Sequence, residues 1–218
     1  MKGAATPCHE ISDFDRDDLR DTREAFATAL TFELGQNWLT APEPGFSSGK
    51  VKIGWRDDLL LVLAELDDEL PSTRADAINQ DLWKLGDTFE MFLAEEGADP
   101  YFEFHIAPNA TRLQLEFASS EEFQALKPGG SIEDLKVAEP LFTYEVWTGP
   151  QKWTVMAEIP ATIFGADAPL LRSRIWRVSF SRYDYLPGSD RPVLSSTSPH
   201  TVADFHRRDE WRPIRFVG

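Results

Sequence analysis

Two stretches of alternating apolar and polar residues carry the side chains most capable of chemistry. In one, Phe89, Met91 and Leu93 alternate with Thr88, Glu90 and Phe92. In the other, Phe102, Phe104 and Ile106 alternate with Glu103 and His105. A period of two marks a strand with one buried face. If residues 88–93 and 101–106 form a hairpin with both apolar sets turned to one core, Leu93 opposite Phe102 puts Glu90 opposite His105. A third strand at 113–117, where Leu113, Leu115 and Phe117 alternate with Gln114 and Glu116, puts His105 opposite Gln114 by the same rule. The sequence therefore predicts a row Glu90, His105, Gln114 on the face turned away from the core. Trp83 sits in the segment leading into that row.

Such residues suit several chemistries. Glu90 and Glu103 would face the same way, as paired carboxylates for glycoside hydrolysis must. That reaction needs carboxyls ~5–5.5 Å or ~6.5–9.5 Å apart inside a cleft. An exposed sheet face offers no burial to raise one pKa, so the sequence argues against an enzyme. The four histidines, 9, 105, 200 and 206, show no HExxH spacing, and neither G-x-S-x-G nor a P-loop is present. For a hard cation the oxygen donors are Asp67, Asp68 and Glu69 after an apolar run, and Asp81 and Asp87 flanking Trp83. One cysteine, Cys8, excludes an intrachain disulfide and a cysteine-rich zinc site.

The elements positioning these residues are mostly strands. Val51, Ile53 and Trp55 alternate with Lys52 and Gly54. Residues 59–66 are apolar except for Glu65, a run short enough for a strand buried on both faces. Val155, Ala157 and Ile159 follow Trp153, Trp176, Val178 and Phe180 alternate with Arg177, Ser179 and Ser181, and Ile214 and Phe216 close the chain. Helical pattern is confined to the acidic lead-in at 10–24, continuing into 25–30, and to 121–126. Many short strands with turn signals between them predict an all-β antiparallel sandwich, jelly-roll or immunoglobulin-like, with a short N-terminal helical or irregular extension. The division expected is an acidic extension at 1–30 and one sandwich at 31–218.

The chain has 218 residues, 42% hydrophobic, which is enough for a real core. Its net charge of -15 has the wrong sign for a general nucleic-acid binder. No apolar run approaches the ~20 residues that span a bilayer. The start, MKGAATPCHEISDFD, has no apolar segment of the kind an export signal carries. The expected partners therefore include neither nucleic acid nor membrane.

The stretch DLWKLGDTFEMFL, residues 81–93, resembles the signature of family 9 carbohydrate-binding modules, in which a Trp precedes a strand reading Asp, any residue, apolar, Glu, apolar, Phe. The order of the surrounding pieces is similar too: the strands at 51–55 and 59–68, YFEFHIAP at 101–108, WTVMAEIP at 153–160, WRVSFSR at 176–182 and FHRRDEWRPIRF at 205–216. Each piece is weak alone, but six in the right order are specific.

The resemblance implies a calcium-stabilised β-sandwich that binds an oligo- or polysaccharide without catalysis, often joined to xylanases and other glycoside hydrolases. In such modules two aromatics sandwich a terminal sugar ring and a Glu hydrogen-bonds it. Trp83 matches the first aromatic, Glu90 the carboxylate and Phe205 the second aromatic. His105 stands where the family has a basic ligand, and Ala107 replaces an Asn of its binding motif. The implied carbohydrate-binding set is Trp83, Glu90, His105, Gln114 and Phe205, with Asp67, Asp68, Asp81 and Asp87 as candidate calcium ligands. Sugar rings offer apolar C–H faces and a rim of hydroxyls, which a flat aromatic plus in-plane charged or amide groups complement. Two other readings share the sandwich: a haem-binding cytochrome domain using Met91 or Met156 as axial ligand, and an interaction module whose aromatic groove no longer takes sugar.

Overall fold

The computed structural model describes residues 4–126, 131–165 and 174–218. The apolar run singled out in the sequence is strand β4 (Leu59–Asp67), and its lack of a polar face dictates much of the architecture. Leu60, Val62, Ala64 and Leu66 point into the main core, while Leu61 and Leu63 point the other way and need a cover of their own. The N-terminal segment supplies it: Ile11 and Phe26 pack there with Met156. Helix α1 (Leu19–Ala25), capped by the Asp18 carboxylate on the amides of Arg20 and Asp21, leads into Phe26.

β4 lies at the middle of a five-stranded antiparallel sheet with β2 (Leu30–Glu33), β3 (Gly49–Arg56), β9 (Lys152–Pro160) and β8 (Thr143–Gly149), in the order β2-β3-β4-β9-β8. A seven-stranded sheet faces it: β1 (Thr6–His9), β12 (Arg212–Val217), β10 (Ile175–Asp184), β5 (Thr88–Glu95), β6 (Tyr101–Ile106) and β7 (Arg112–Phe117), with β11 (Val193–Ser196) also pairing β10. All pairings in this second sheet are antiparallel except β1 with β12. The two sheets form a sandwich, and its interior holds the alternating sets predicted from sequence: Phe89, Met91, Leu93, Phe102, Phe104, Ile106, Trp176, Val178 and Phe180. Apolar burial on this scale drives the packing at roughly 25 cal/mol per Å² of surface removed from water.

The outer face of the seven-stranded sheet is covered as well. Phe92, Ala94, Tyr101, Leu113, Leu115 and Phe117 rise from it into a second apolar layer completed by loop residues, among them Leu82, Leu135, Phe205 and Trp211. The expectation of an open, hydrophilic outer face is corrected here: polar residues on that face lie at the bottom of a layer. Helix α2 (Ser120–Ala125), capped by Ser119 on Glu122 N, brings Phe123 against this layer.

Candidate functional site

The β5–β6 ladder places Glu90 directly opposite His105, the register predicted from the two apolar sets. Glu103, two residues before His105 on the same strand, points to the same face. All three are buried, Glu90 at 2% exposure, Glu103 at 4% and His105 at 1%. His105 bridges the carboxylates: its Nδ1 lies 3.3 Å from Glu90 Oε1 and its Nε2 lies 2.5 Å from Glu103 Oε1. Beyond Glu103 the chain of polar groups continues. Glu103 Oε2 lies 3.6 Å from His206 Nε2, and the Tyr101 hydroxyl lies 3.1 Å from His206 Nδ1.

Burial and charge set the protonation of this row. Burial pushes the Glu90 carboxyl up to about 8, with Glu103 adding repulsion against the attraction of His105. Burial opposes charge on His105, but the flanking Glu90 and Glu103 carboxylates outweigh it and raise its pKa. Burial would raise Glu103 too, yet His206 and His105 hold it below the usual range. The row is therefore a charged His105–Glu103 pair beside a Glu90 that keeps its proton near neutrality. The sequence expectation that this face could not raise a carboxyl pKa is corrected by the layer above it.

Trp83 stands over this floor. It lies in a 3-10 turn, Leu82–Lys84, whose Leu82 is buried and whose Trp83 carbonyl accepts a 2.7 Å hydrogen bond from the Tyr185 hydroxyl. The indole is half-buried, its plane inclined 61° to the His105 ring with centroids 5.4 Å apart. The loop is pinned by a close backbone approach at Gly86. A Cβ there would come within 2.5 Å of Ser72 O and 2.6 Å of Thr73 Cα. The next residue, Asp87, exchanges two bonds with Ser72, donating its amide to Ser72 O at 2.9 Å and accepting from Ser72 N at 2.6 Å.

Trp83, Glu90 and Glu103 line a cavity of about 430 Å³ that includes Phe117, Phe123, Tyr183, Asp204, Phe205 and His206 on its walls. Phe205, matched by resemblance to the second stacking aromatic, reaches this wall but is only 5% exposed. Its ring is held among Trp38, Phe92, Tyr183 and His200, at centroid distances of 5.9 to 6.3 Å. A more extended aromatic surface on the walls is the pair Phe123 and His206, stacked at 3.5 Å. Neither was singled out from sequence. Phe123 comes from a helix whose pattern gave no sign of its destination, and His206 adjoins Phe205 in the FH pair that was the available signal.

Gln114 departs from its expected place. The β6–β7 ladder sets Gln114 opposite Phe104 and Leu113 opposite His105, so the predicted row stops at His105. The apolar set of β7 faces the outer layer, not the sandwich interior, and parity alone could not say which buried side it would choose. Gln114 points the other way. Its amide donates to Val137 O and Glu139 O at 3.1 and 3.2 Å and accepts from Leu141 N at 2.8 Å, bracing the segment that precedes β8.

The candidate cation ligands also divide. Asp68 and Asp87 meet Asp184, all buried, with one oxygen of each lying within 4.8 Å of the others. Asp67 turns away to Lys152 at 3.1 Å, and Asp81 to Lys84 and Lys136 at 2.8 and 3.2 Å. In the triad, Arg182 Nη2 reaches Asp68 at 2.7 Å and Asp184 at 3.2 Å, while Asp184 Oδ2 has no hydrogen-bond partner. Three carboxylates against one guanidinium, with one buried oxygen unsatisfied, fit a hard divalent cation. Of the two methionines considered for haem, Met91 lies inside the sandwich and Met156 beneath the N-terminal segment, on opposite faces of the five-stranded sheet.

Comparison of the whole chain with solved structures connects this geometry to known proteins. It matches a candidate carbohydrate-binding protein from Bacteroides uniformis at a TM-score of 0.73 and 13% identity, covering 98% of this chain and 99% of that one. It matches a family 9 carbohydrate-binding module from Caldicellulosiruptor kristjanssonii in complex with cellotriose at 0.66 and 16% identity, covering 99% and 94%. The chain has a family 9-like fold. A family 9 carbohydrate-binding module from the same organism in complex with glucose aligns at 0.61 and 16% identity, over 98% of this chain and 96% of that one. No protein-family model matches the sequence, and no curated protein matches it.

Proposed function

We propose that this family 9-like domain binds the end of a saccharide chain, without turnover, in the cavity under Trp83. One observation carries the reading: a half-buried indole overhangs a floor of Glu90, His105 and Glu103 in a half-open slot of about 430 Å³. A slot favours one ring at a chain end, whereas a crystalline surface would need a flat aromatic platform. Trp83 offers the stacking face, Phe123 and His206 line the wall, the Glu103 carboxylate accepts hydrogen bonds from hydroxyls, and the protonated Glu90 can donate one. The sugar complexes of structurally similar family 9 modules support this reading. Affinity is modest, in the ~10 μM to ~1 mM range, because a stacked ring and a few hydrogen bonds must offset association entropy. Binding of this kind would serve polysaccharide breakdown by holding a glycoside hydrolase at its substrate.

The proposal extends to a structural calcium ion held by Asp68, Asp87 and Asp184, which would tie the loop before the Trp83 turn to the end of β10. The deciding experiment is a titration with glucose, cellobiose and cellotriose followed by tryptophan fluorescence and calorimetry, with Trp83→Ala as control. Saturable binding that the variant loses supports the reading. A flat response to all three, the same in both proteins, sinks it.

A further inference from the structure

Resting on the saccharide reading, we infer that the saccharide end this cavity takes carries an aromatic substituent: the ligand is an aryl glycoside rather than a bare glycan end. The lining of the cavity is uneven. Under Trp83 the floor is polar, with Glu90 on β5 and Glu103 on β6. The neighbouring strand β7 presents Leu115 and Phe117 instead, Leu115 directly opposite Glu103 in the ladder. Phe123 and Ile132 pack against the same apolar layer and line the cavity too. None of these four side chains has a hydrogen-bonding group. Phe123 stands edge-to-face with Phe117, their centroids 6.0 Å apart and their planes at 76°.

Volume sets how much must fill the space. A cavity of about 150 Å³ holds benzene, and a hexose, with twice the non-hydrogen atoms, needs roughly 250 Å³. The cavity here measures about 430 Å³, so a hexose under Trp83 leaves space for a second ring of benzene's size. A second sugar does not suit that space. Its hydroxyls would lose water against Leu115, Phe117, Phe123 and Ile132 without finding partners there, which is costly. An aryl ring has no such hydroxyls, and it meets Phe117 and Phe123 in the offset and edge-to-face arrangements that aromatic pairs prefer. Its burial adds affinity in proportion to the apolar area removed from water. An apolar lining around a few placed polar groups is the usual make-up of a pocket for a ligand that is itself part apolar.

The test is calorimetric titration of the purified protein with glucose, cellobiose, phenyl β-D-glucopyranoside and phenol. It is repeated on Ile132→Thr, which keeps the branched shape and adds a hydroxyl at a partly buried position. Phenyl glucoside is expected to bind roughly tenfold or more tighter than glucose, the gain from burying one phenyl ring, and tighter than cellobiose. Phenol alone should bind more weakly than phenyl glucoside. In Ile132→Thr the ratio of phenyl glucoside to glucose affinity should shrink toward one. Phenyl glucoside binding no tighter than glucose, or no tighter than cellobiose, would overturn the aryl inference and leave the saccharide reading standing. A ratio unchanged in Ile132→Thr would overturn it by placing the phenyl ring elsewhere. Phenol binding as tightly as phenyl glucoside with no response to glucose, or silence from all four ligands, would overturn both. Should Ile132→Thr fail to fold, the ligand series on the unmodified protein still decides.

Discussion

His105 and Glu103, two residues apart on β6, close on each other at 2.5 Å between Nε2 and Oε1 while the same imidazole turns its other nitrogen to Glu90. One ring thus holds two buried carboxylates apart. Removing it should leave both without their shared partner. His105→Ala is expected to destabilise the protein by about 3–5 kcal/mol, the usual cost of breaking a buried ion pair. Urea unfolding monitored by tryptophan fluorescence measures it, and a loss below about 1 kcal/mol would mean the row carries little charge.

The same row fixes how stability depends on pH. Glu90 titrates at about 8 in the fold against 4.5 unperturbed, so across that window the folded state holds a proton the unfolded chain has released. Stability therefore falls as pH rises through the window. His105, raised from 6.5, acts in the same direction: its contribution is complete below 6.5 and is lost as pH rises through its folded value. Glu103, lowered, acts at the acid end, where stability drops as pH falls through its folded value. The melting temperature should decline from mildly acidic to mildly alkaline pH, and Glu90→Gln should flatten that slope. An unchanged slope in the variant would contradict the assignment.

Much of this arrangement was readable in advance. Period-two alternation gave β5, β6 and β10 their inward faces and fixed the parity that lets Glu90 lie across from His105, while the register itself, among those two residues apart that bury the same sets, rested on setting Leu93 opposite Phe102. It failed at β7, where both faces are covered and alternation cannot choose between them. The short strands β1, β2, β8 and β11 gave weak patterns, since edge or four-residue strands bury too few side chains to show a period. The outer layer was unreadable for another reason. Leu82, Leu135, Phe205 and Trp211 come from connections, where burial follows no period and depends on contacts far along the chain. Asp184 was missed because it ends a strand, away from the acidic clusters that attracted attention.

On the proposed reading Trp83 is the stacking face, so Trp83→Ala should weaken saccharide binding by roughly tenfold or more while costing little stability. The ring is half-buried, with a lysine ammonium 5.2 Å from its centroid, and its removal opens the slot without stranding a charge. Calorimetry and thermal unfolding of the same sample separate the two effects. A variant that binds as the unmodified protein does would place the sugar elsewhere.

The turn carrying Trp83 depends on Gly86 in a different way. A methyl group at that position meets backbone on two sides, Ser72 O at 2.5 Å and Thr73 Cα at 2.6 Å, and neither can swing aside as a side chain would. The loops must part, which breaks the Asp87–Ser72 bonds and shifts the indole over the cavity. Gly86→Ala is expected to cost about 2 kcal/mol or more and to weaken binding together with stability, whereas Trp83→Ala moves binding alone. Equal melting temperatures for Gly86→Ala and the unmodified protein would show that the approach is looser than these distances.

The proposed calcium ion would link the same loop to β10. If an ion sits among Asp68, Asp87 and Asp184, adding it raises the melting temperature by mass action, about 2.7 kcal/mol of stabilisation when its concentration is a hundredfold its dissociation constant. Chelator should reverse the rise. Asp184→Asn removes a carboxylate whose Oδ2 has no partner, and should abolish the calcium response while leaving the Arg182–Asp68 pair at 2.7 Å available. The Glu90 row is a separate cluster, so saccharide affinity at fixed temperature should change little in that variant. A melting temperature that ignores both calcium and chelator would mean that Arg182 alone balances the triad.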